Sequence, residues 1–418
     1  MPNVSSRPGR RHVRGMAVRR RKPGGRTAFG LALALALVSA GLVVWWGGAL
    51  WPAASIQVTD PGTLILDSGA LPTGVTAVLA EPADPAAPPA PLRLTGRFAR
   101  PMTEGGAPRH EWPAVHAVAL IEGPDVTLSF DDDENRYRLT VDSPALSVVL
   151  DRPGRRDLNL SGLGPGQHGV RLEKISESSA PRPFPVIRPG PGATALPVPP
   201  LKRQIEVIGD SEAVGYGVTS PRRDCSAEEQ FATTDTSLSF GPALARALNA
   251  DYQLVARSGM GLVRNYGGAD AGRSLTALYP LPLPSDPDAI ALPDAWSPRL
   301  VVLQLGTNDV IDTEQPHLPP GYAEAAADLL DRIRDRSPGA TILVLLTSDP
   351  DAGRRAALQP VIAALEAAGG PPVALVDAPQ SDLGACHWHP SLADHAAMTA
   401  VLQQALAGLP DPWGTPAP

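Results

Sequence analysis

Basic side chains are scarce in this chain once its first 26 residues are set aside. Nine of the 36 Lys and Arg fall in that opening segment, which holds no Asp or Glu, and the remainder has 27 basic against 43 acidic residues. An acidic body of this kind is a poor partner for nucleic acid. Cysteine is nearly absent: Cys225 and Cys386 are the only two, so the chain can close one disulfide at most. Charge is missing altogether from Ala28 to Trp51, 24 residues reading AFGLALALALVSAGLVVWWGGALW. A bilayer takes about 20 apolar residues to span. Basic residues 1–26 therefore read as a cytoplasmic tail, and 27–51 as a membrane signal anchor or a cleavable signal peptide, with Trp45, Trp46 and Trp51 at the far interface. Either way the rest of the chain lies outside the cytoplasm.

Residues 55–178 lack any convincing helical periodicity. Alternating runs such as Val126, Leu128, Phe130, then Tyr137, Leu139, Val141, then Leu146, Val148, Leu150 are separated by polar turns at 131–135 and 162–169. That pattern predicts an antiparallel β-sandwich. Residues 180–200 hold eight prolines, and 179–201 reads as a semi-rigid linker. From 202 to 410 the pattern changes. Short apolar strands at 205–208, 252–256, 300–305, 341–346 and 373–376 alternate with helical stretches at 241–249, 321–336, 354–369 and 392–409. This predicts a doubly wound parallel sheet, whose sites gather at the carboxyl ends of its strands.

Chemistry-bearing residues stand at those ends. The first strand runs into Gly209-Asp210-Ser211, the second into ARSGMGLVRN (256–265), the third into Gly306-Thr307-Asn308-Asp309, and CHWHPSLADH (386–395) precedes the last helix. A serine hydroxyl becomes a nucleophile when a histidine takes its proton, and the oxyanion that follows needs preorganised donors. The backbone amides of Ser211 and a glycine, with an asparagine side chain, would serve. Asp210 reads as a brace for its turn and Asp309 as a cap for the next helix.

These blocks resemble those of the SGNH (GDSL-type) hydrolases. Together with 112–142, 243–267 and the C-x-W-H-P-S block, the chain is similar over most of 95–408 to carbohydrate esterase family 2, the acetylxylan-esterase-like group. The resemblance implies a flavodoxin-like three-layer α/β/α domain preceded by a jelly-roll sandwich, and deacetylation of carbohydrates without a cofactor. It implies Ser211 as nucleophile, His389 as base, and Ser211, Gly259 and Asn308 as the oxyanion hole, with Gly261 as the alternative to Gly259. Trp388, Asn265 and Tyr266 stand where a sugar would rest. GDSL-type lipases, lysophospholipases and thioesterases are the competing activities, but the polar, proline-rich loop at 278–298 offers no long apolar channel. A non-catalytic carbohydrate-binding protein of the envelope is the alternative of another class, and intact Ser211, Asn308 and His389 argue against it. The spacing of His387, His389 and His395 could suit a metal, yet no partner block with ligand spacing accompanies it, and no metal is expected.

Two further expectations follow. Cys225 and Cys386 flank the nucleophile and base blocks in an oxidising compartment, so they should be bonded. No carboxylate stands two or three residues before His389, where His387 and Cys386 are found, and the nearest upstream acids are Asp377 and Asp382. A Ser-His dyad, with a backbone carbonyl of 385–388 orienting the ring, is therefore expected.

Overall fold

A computed structural model describes residues 63–66, 71–293, 296–312, 314–347 and 353–414. The basic tail and the apolar run at 27–51 lie outside the described residues. Among the described residues, no helix is long and apolar enough to cross a membrane.

The first half is a sandwich of antiparallel sheets. Thr63–Leu66, Ser143–Asp151, Arg136–Val141, Gln167–Lys174, His116–Glu122 and Thr194–Leu196 pair in that order, with Arg93–Thr95 also on His116–Glu122. A second sheet runs Val186–Pro189, Val126–Asp132, Gly154–Ser161, Thr76–Ala80. Alternate residues of both sheets, such as Ala117, Ala119 and Ile121 against Val126, Leu128 and Leu160, fill one core. The period-two pattern therefore set which face is buried.

The proline-rich stretch is not a linker over most of its length. Arg182–Pro183 pairs with Arg109–His110, Val186–Pro189 with 126–129, and Thr194–Leu196 with 120–122. All three are edge strands. Proline removes a ladder donor, and an edge strand has a side on which that donor is not needed.

The second half carries a parallel sheet in the order Asp251–Ala256, Gln204–Gly209, Leu300–Gln304, Thr341–Leu346, Val373–Asp377. This is the flavodoxin-like order 2-1-3-4-5. Its three leading strands are buried along nearly their whole length, which is why they read as unbroken apolar runs. Strand order reverses at Gln204–Gly209, so the ends of that strand and its two neighbours border a crevice.

The sandwich and the parallel-sheet domain meet through buried charge. Asp251, at the start of its strand, accepts from His116 Nε2 at 2.7 Å and Thr95 Oγ1 at 3.0 Å, with Arg93 Nε 3.4 Å away and Arg171 Nη1 3.6 Å away. Burial pushes its carboxyl up, but His116, Arg171 and Arg93 together hold it well below the usual range. Removing one member of a buried charge cluster leaves the others uncompensated. Asp251→Asn should therefore cost about 3 to 5 kcal/mol in urea unfolding at pH 7. The difference from the parent should shrink as pH falls below about 4, the ordinary aspartate value. An unchanged midpoint would contradict this role.

Candidate active site

The site is built where strand Gln204–Gly209 gives way to the short helix Ser211–Val214. A side chain at Gly209 would meet Ala213 Cβ and Gln304 O, each at 2.6 Å, so the turn admits only glycine. Asp210 Oδ1 accepts from Glu212 N at 3.0 Å and caps the helix, as expected of a brace. Burial first, and then the Glu212 charge, push the Asp210 carboxyl up.

Ser211 Oγ lies 2.9 Å from His389 Nε2. The other ring nitrogen, Nδ1, lies 3.0 Å from Cys386 O and 3.1 Å from His387 O. A carbonyl can only accept, so Nδ1 carries the proton and Nε2 presents its lone pair to the serine hydroxyl. Burial lowers the His389 pKa below its ordinary value and the neighbouring His387 imidazole adds to that, while the two carbonyl bonds and Glu177 oppose. The ring is thus neutral at neutral pH, with Nε2 able to accept a proton. Asp377 is exposed and paired with Arg355, and Asp382 accepts from Gly384 N at 2.7 Å. Neither carboxylate hydrogen-bonds His389.

The loop carrying these carbonyls is held from several sides. His387 and Trp388 have left-handed φ of 52° and 61°. Cys386 is bonded to Cys225 with Cα atoms 5.5 Å apart. His387 N donates to Arg223 O at 2.7 Å, and Arg223 Nε donates to Leu383 O at 2.8 Å. The Arg223 guanidinium lies 4.0 Å from the Trp388 ring centroid. Gly217, with φ of 59°, leaves room for the disulfide, because a Cβ there would stand 2.5 Å from Cys386 Cβ.

Tyr216, which sequence reasoning missed, stacks on His389 with ring centroids 4.3 Å apart. Its hydroxyl lies 2.9 Å from His387 Nδ1, and His387 Nε2 lies 2.9 Å from Cys225 O. That carbonyl fixes the second tautomer, so the tyrosine donates to His387. His395 is buried elsewhere and accepts from Phe240 N at 3.2 Å, so the three histidines do not converge. Only the tyrosine's place in the stretch "GYG" after the serine hinted at a role.

The two glycines of the second block differ. Gly261 N donates to Asn265 Oδ1 at 3.1 Å, and a Cβ on Gly261 would sit 2.1 Å from Arg264 O. Its amide is taken and its lack of a side chain is a packing demand. The Gly259 amide makes no hydrogen bond among the described residues, and its carbonyl accepts from Tyr266 N at 2.8 Å. Asn308 Nδ2 donates to Met260 O at 2.9 Å and, over a longer 3.3 Å, to Asp210 Oδ2.

Two expectations are corrected here. Asn265 does not face a sugar: it is buried, with Nδ2 donating to Ala269 O at 3.1 Å and Arg273 O at 3.3 Å, because the tight loop has more backbone groups than it can pair by itself. Asp309 does not cap the next helix. It accepts from Leu262, Val263 and Arg264 N at 2.7, 2.7 and 2.9 Å and shapes the loop after the second strand. Tyr266 and Trp388 are exposed, at 75% and 64%, one beside Gly259 and one beside His389.

A serine and histidine in this geometry, at the switch point of a flavodoxin-like sheet, define the GDSL-type class. The GDSL-like Lipase/Acylhydrolase family matches residues 207–400, and the Carbohydrate esterase 2 N-terminal family matches 94–199. An acetylxylan esterase / glucomannan deacetylase of Cellvibrio japonicus is 38% identical over 324 residues, covering 75% of this chain and 89% of the relative. A solved carbohydrate esterase, described as having divergent catalytic and non-catalytic binding functions in its active site, superposes with a TM-score of 0.69 at 34% identity. That match covers 78% of this chain and 100% of the other. A family two carbohydrate esterase from Clostridium thermocellum, solved with cellohexaose, gives 0.65 at 27% identity over 76% of this chain and 98% of its own. The chain belongs to carbohydrate esterase family 2.

The disulfide joins residues 161 apart and holds the carbonyl that orients His389. Replacing both cysteines by serine should lower stability by up to about 5 kcal/mol in the chain-entropy model. It should also reduce kcat, as the loop loosens. Unchanged urea midpoint and kcat would show that the bond holds nothing.

Proposed function

We propose that this carbohydrate esterase removes acetyl groups from a carbohydrate or polysaccharide through an acyl-enzyme on Ser211. The observation that carries the reading is the 2.9 Å contact between Ser211 Oγ and His389 Nε2, with Nδ1 committed to carbonyls. Oγ attacks the acetyl carbonyl carbon while Nε2 takes its proton. The oxyanion forms against the Ser211 and Gly259 amides and Asn308 Nδ2, whose longer contact to Asp210 is the one free to turn. The C–O bond to the sugar breaks as the imidazolium returns its proton to the leaving oxygen. Water, deprotonated by the same nitrogen, then releases acetate and restores the serine.

Trp388 and Tyr266 give the ring faces on which a sugar would rest, and the relatives named for acetylxylan and glucomannan support the substrate class. The basic start and uncharged run at 27–51 support an extracytoplasmic enzyme, anchored to a membrane or secreted if the run is cleaved.

Acetate release from a panel of acetylated polysaccharides, with Ser211→Ala as control, tests the reading. Turnover should vanish in that variant with the fold retained, and Asn308→Ala should lose about 10²- to 10³-fold in kcat. Faster hydrolysis of octanoyl than acetyl esters of the same leaving group would instead favour a lipase-like activity. Because His389 is held below its ordinary value, the acid limb of kcat/KM should fall below pH 6.5, the unperturbed histidine value. A limb above that value would contradict the buried, carbonyl-oriented base.

A further inference from the structure

One sandwich carboxylate reaches into the hydrolase domain beside the site. Glu177 follows strand Gln167–Lys174, and its Oε1 accepts from Ser258 N at 2.8 Å while Oε2 accepts from Ser258 Oγ at 2.5 Å. Ser258 immediately precedes Gly259, whose carbonyl is tied on its other side to Tyr266 N. The preceding residue, Arg257, is also held from the sandwich, with Nη1 3.3 Å from Glu111 Oε1. The turn that presents the Gly259 amide is thus gripped by side chains of the other domain.

Building on the serine-esterase reading, we propose that Glu177 is a positioning residue supplied by the sandwich: its paired hydrogen bonds to Ser258 aim the Gly259 amide at the oxyanion, and its charge supports the protonated His389 from a distance. A carboxylate accepting from both the amide and the hydroxyl of one serine fixes that residue's orientation in a way one bond would not. Small displacements of an oxyanion donor cost rate without costing substrate affinity. The titratable groups whose charge acts on His389 are Glu177, His387 and, from its own buried place, His395; the Tyr216 ring stacks on it, and Glu177 is the negative charge among them. With only carbonyls on Nδ1, that carboxylate gives the imidazolium long-range support that a directly bonded acid gives in a triad.

Three variants of the full chain, assayed on 4-nitrophenyl acetate across pH, test this. Glu177→Ala should lose about 10²-fold in kcat with KM little changed. Glu177→Gln keeps both contacts, its Oε1 accepting from Ser258 N and its Nε2 donating to Ser258 Oγ. It should recover most of that kcat, yet move the acid limb of kcat/KM to lower pH, because the charge supporting the imidazolium is gone. A parental kcat in Glu177→Ala overturns the proposal. If that variant does not fold, Glu177→Gln carries the test, and an acid limb at the parental pH overturns it. Activity surviving in Ser211→Ala overturns the serine-esterase reading itself, and this proposal with it.

Discussion

Everything at the site turns on two hydrogen bonds from His389 Nδ1 to the carbonyls of Cys386 and His387. They fix the tautomer, and so decide that Nε2 faces Ser211 as an acceptor. A carbonyl carries only a partial charge, so it orients the ring as well as a carboxylate does but supports the imidazolium less. Orientation must then come from a loop that cannot move. This accounts for the density of restraints on 382–389: a disulfide, an arginine clamp, left-handed backbone at two successive residues, and the chain from Tyr216 through His387 to Cys225 O.

The Ser211 and His389 blocks are bound into one unit by that loop, and the sandwich completes the frame. Asp251, Glu206 and Tyr252 of the parallel sheet are each paired with a sandwich side chain: His116, Arg97 and Glu173 respectively. Glu111 and Glu177 hold the turn after the second strand. The sandwich is therefore part of the scaffold on which the geometry of the site rests.

Much of this was legible in the sequence, for physical reasons. Strands buried on both faces are continuous apolar runs, and the parallel sheet could be read from five of them. Glycines and Gly-Asp-Ser or Gly-Thr-Asn-Asp at strand ends mark turns where backbone and side-chain donors must converge. What escaped was set by distant pairing. Pro183 and Pro189 look like linker residues until an edge strand receives them. Asn265 looks like a surface donor until its loop closes over it, and Asp309 looks like a helix cap until the chain 45 residues earlier returns to it. Tyr216 and Glu177 carry no local pattern, because their partners lie 171 and 81 residues away.

The central claim is that no carboxylate among the described residues orients His389, and steady-state kinetics of Asp377→Asn and Asp382→Asn test it most directly. Removing a triad aspartate costs about 10⁴-fold in kcat. The account predicts that each variant keeps kcat within about tenfold of the parent, since neither acid touches the ring and a carbonyl-held tautomer survives their loss. A loss near 10⁴-fold in either, with stability unchanged, would identify the missing acid and contradict the account.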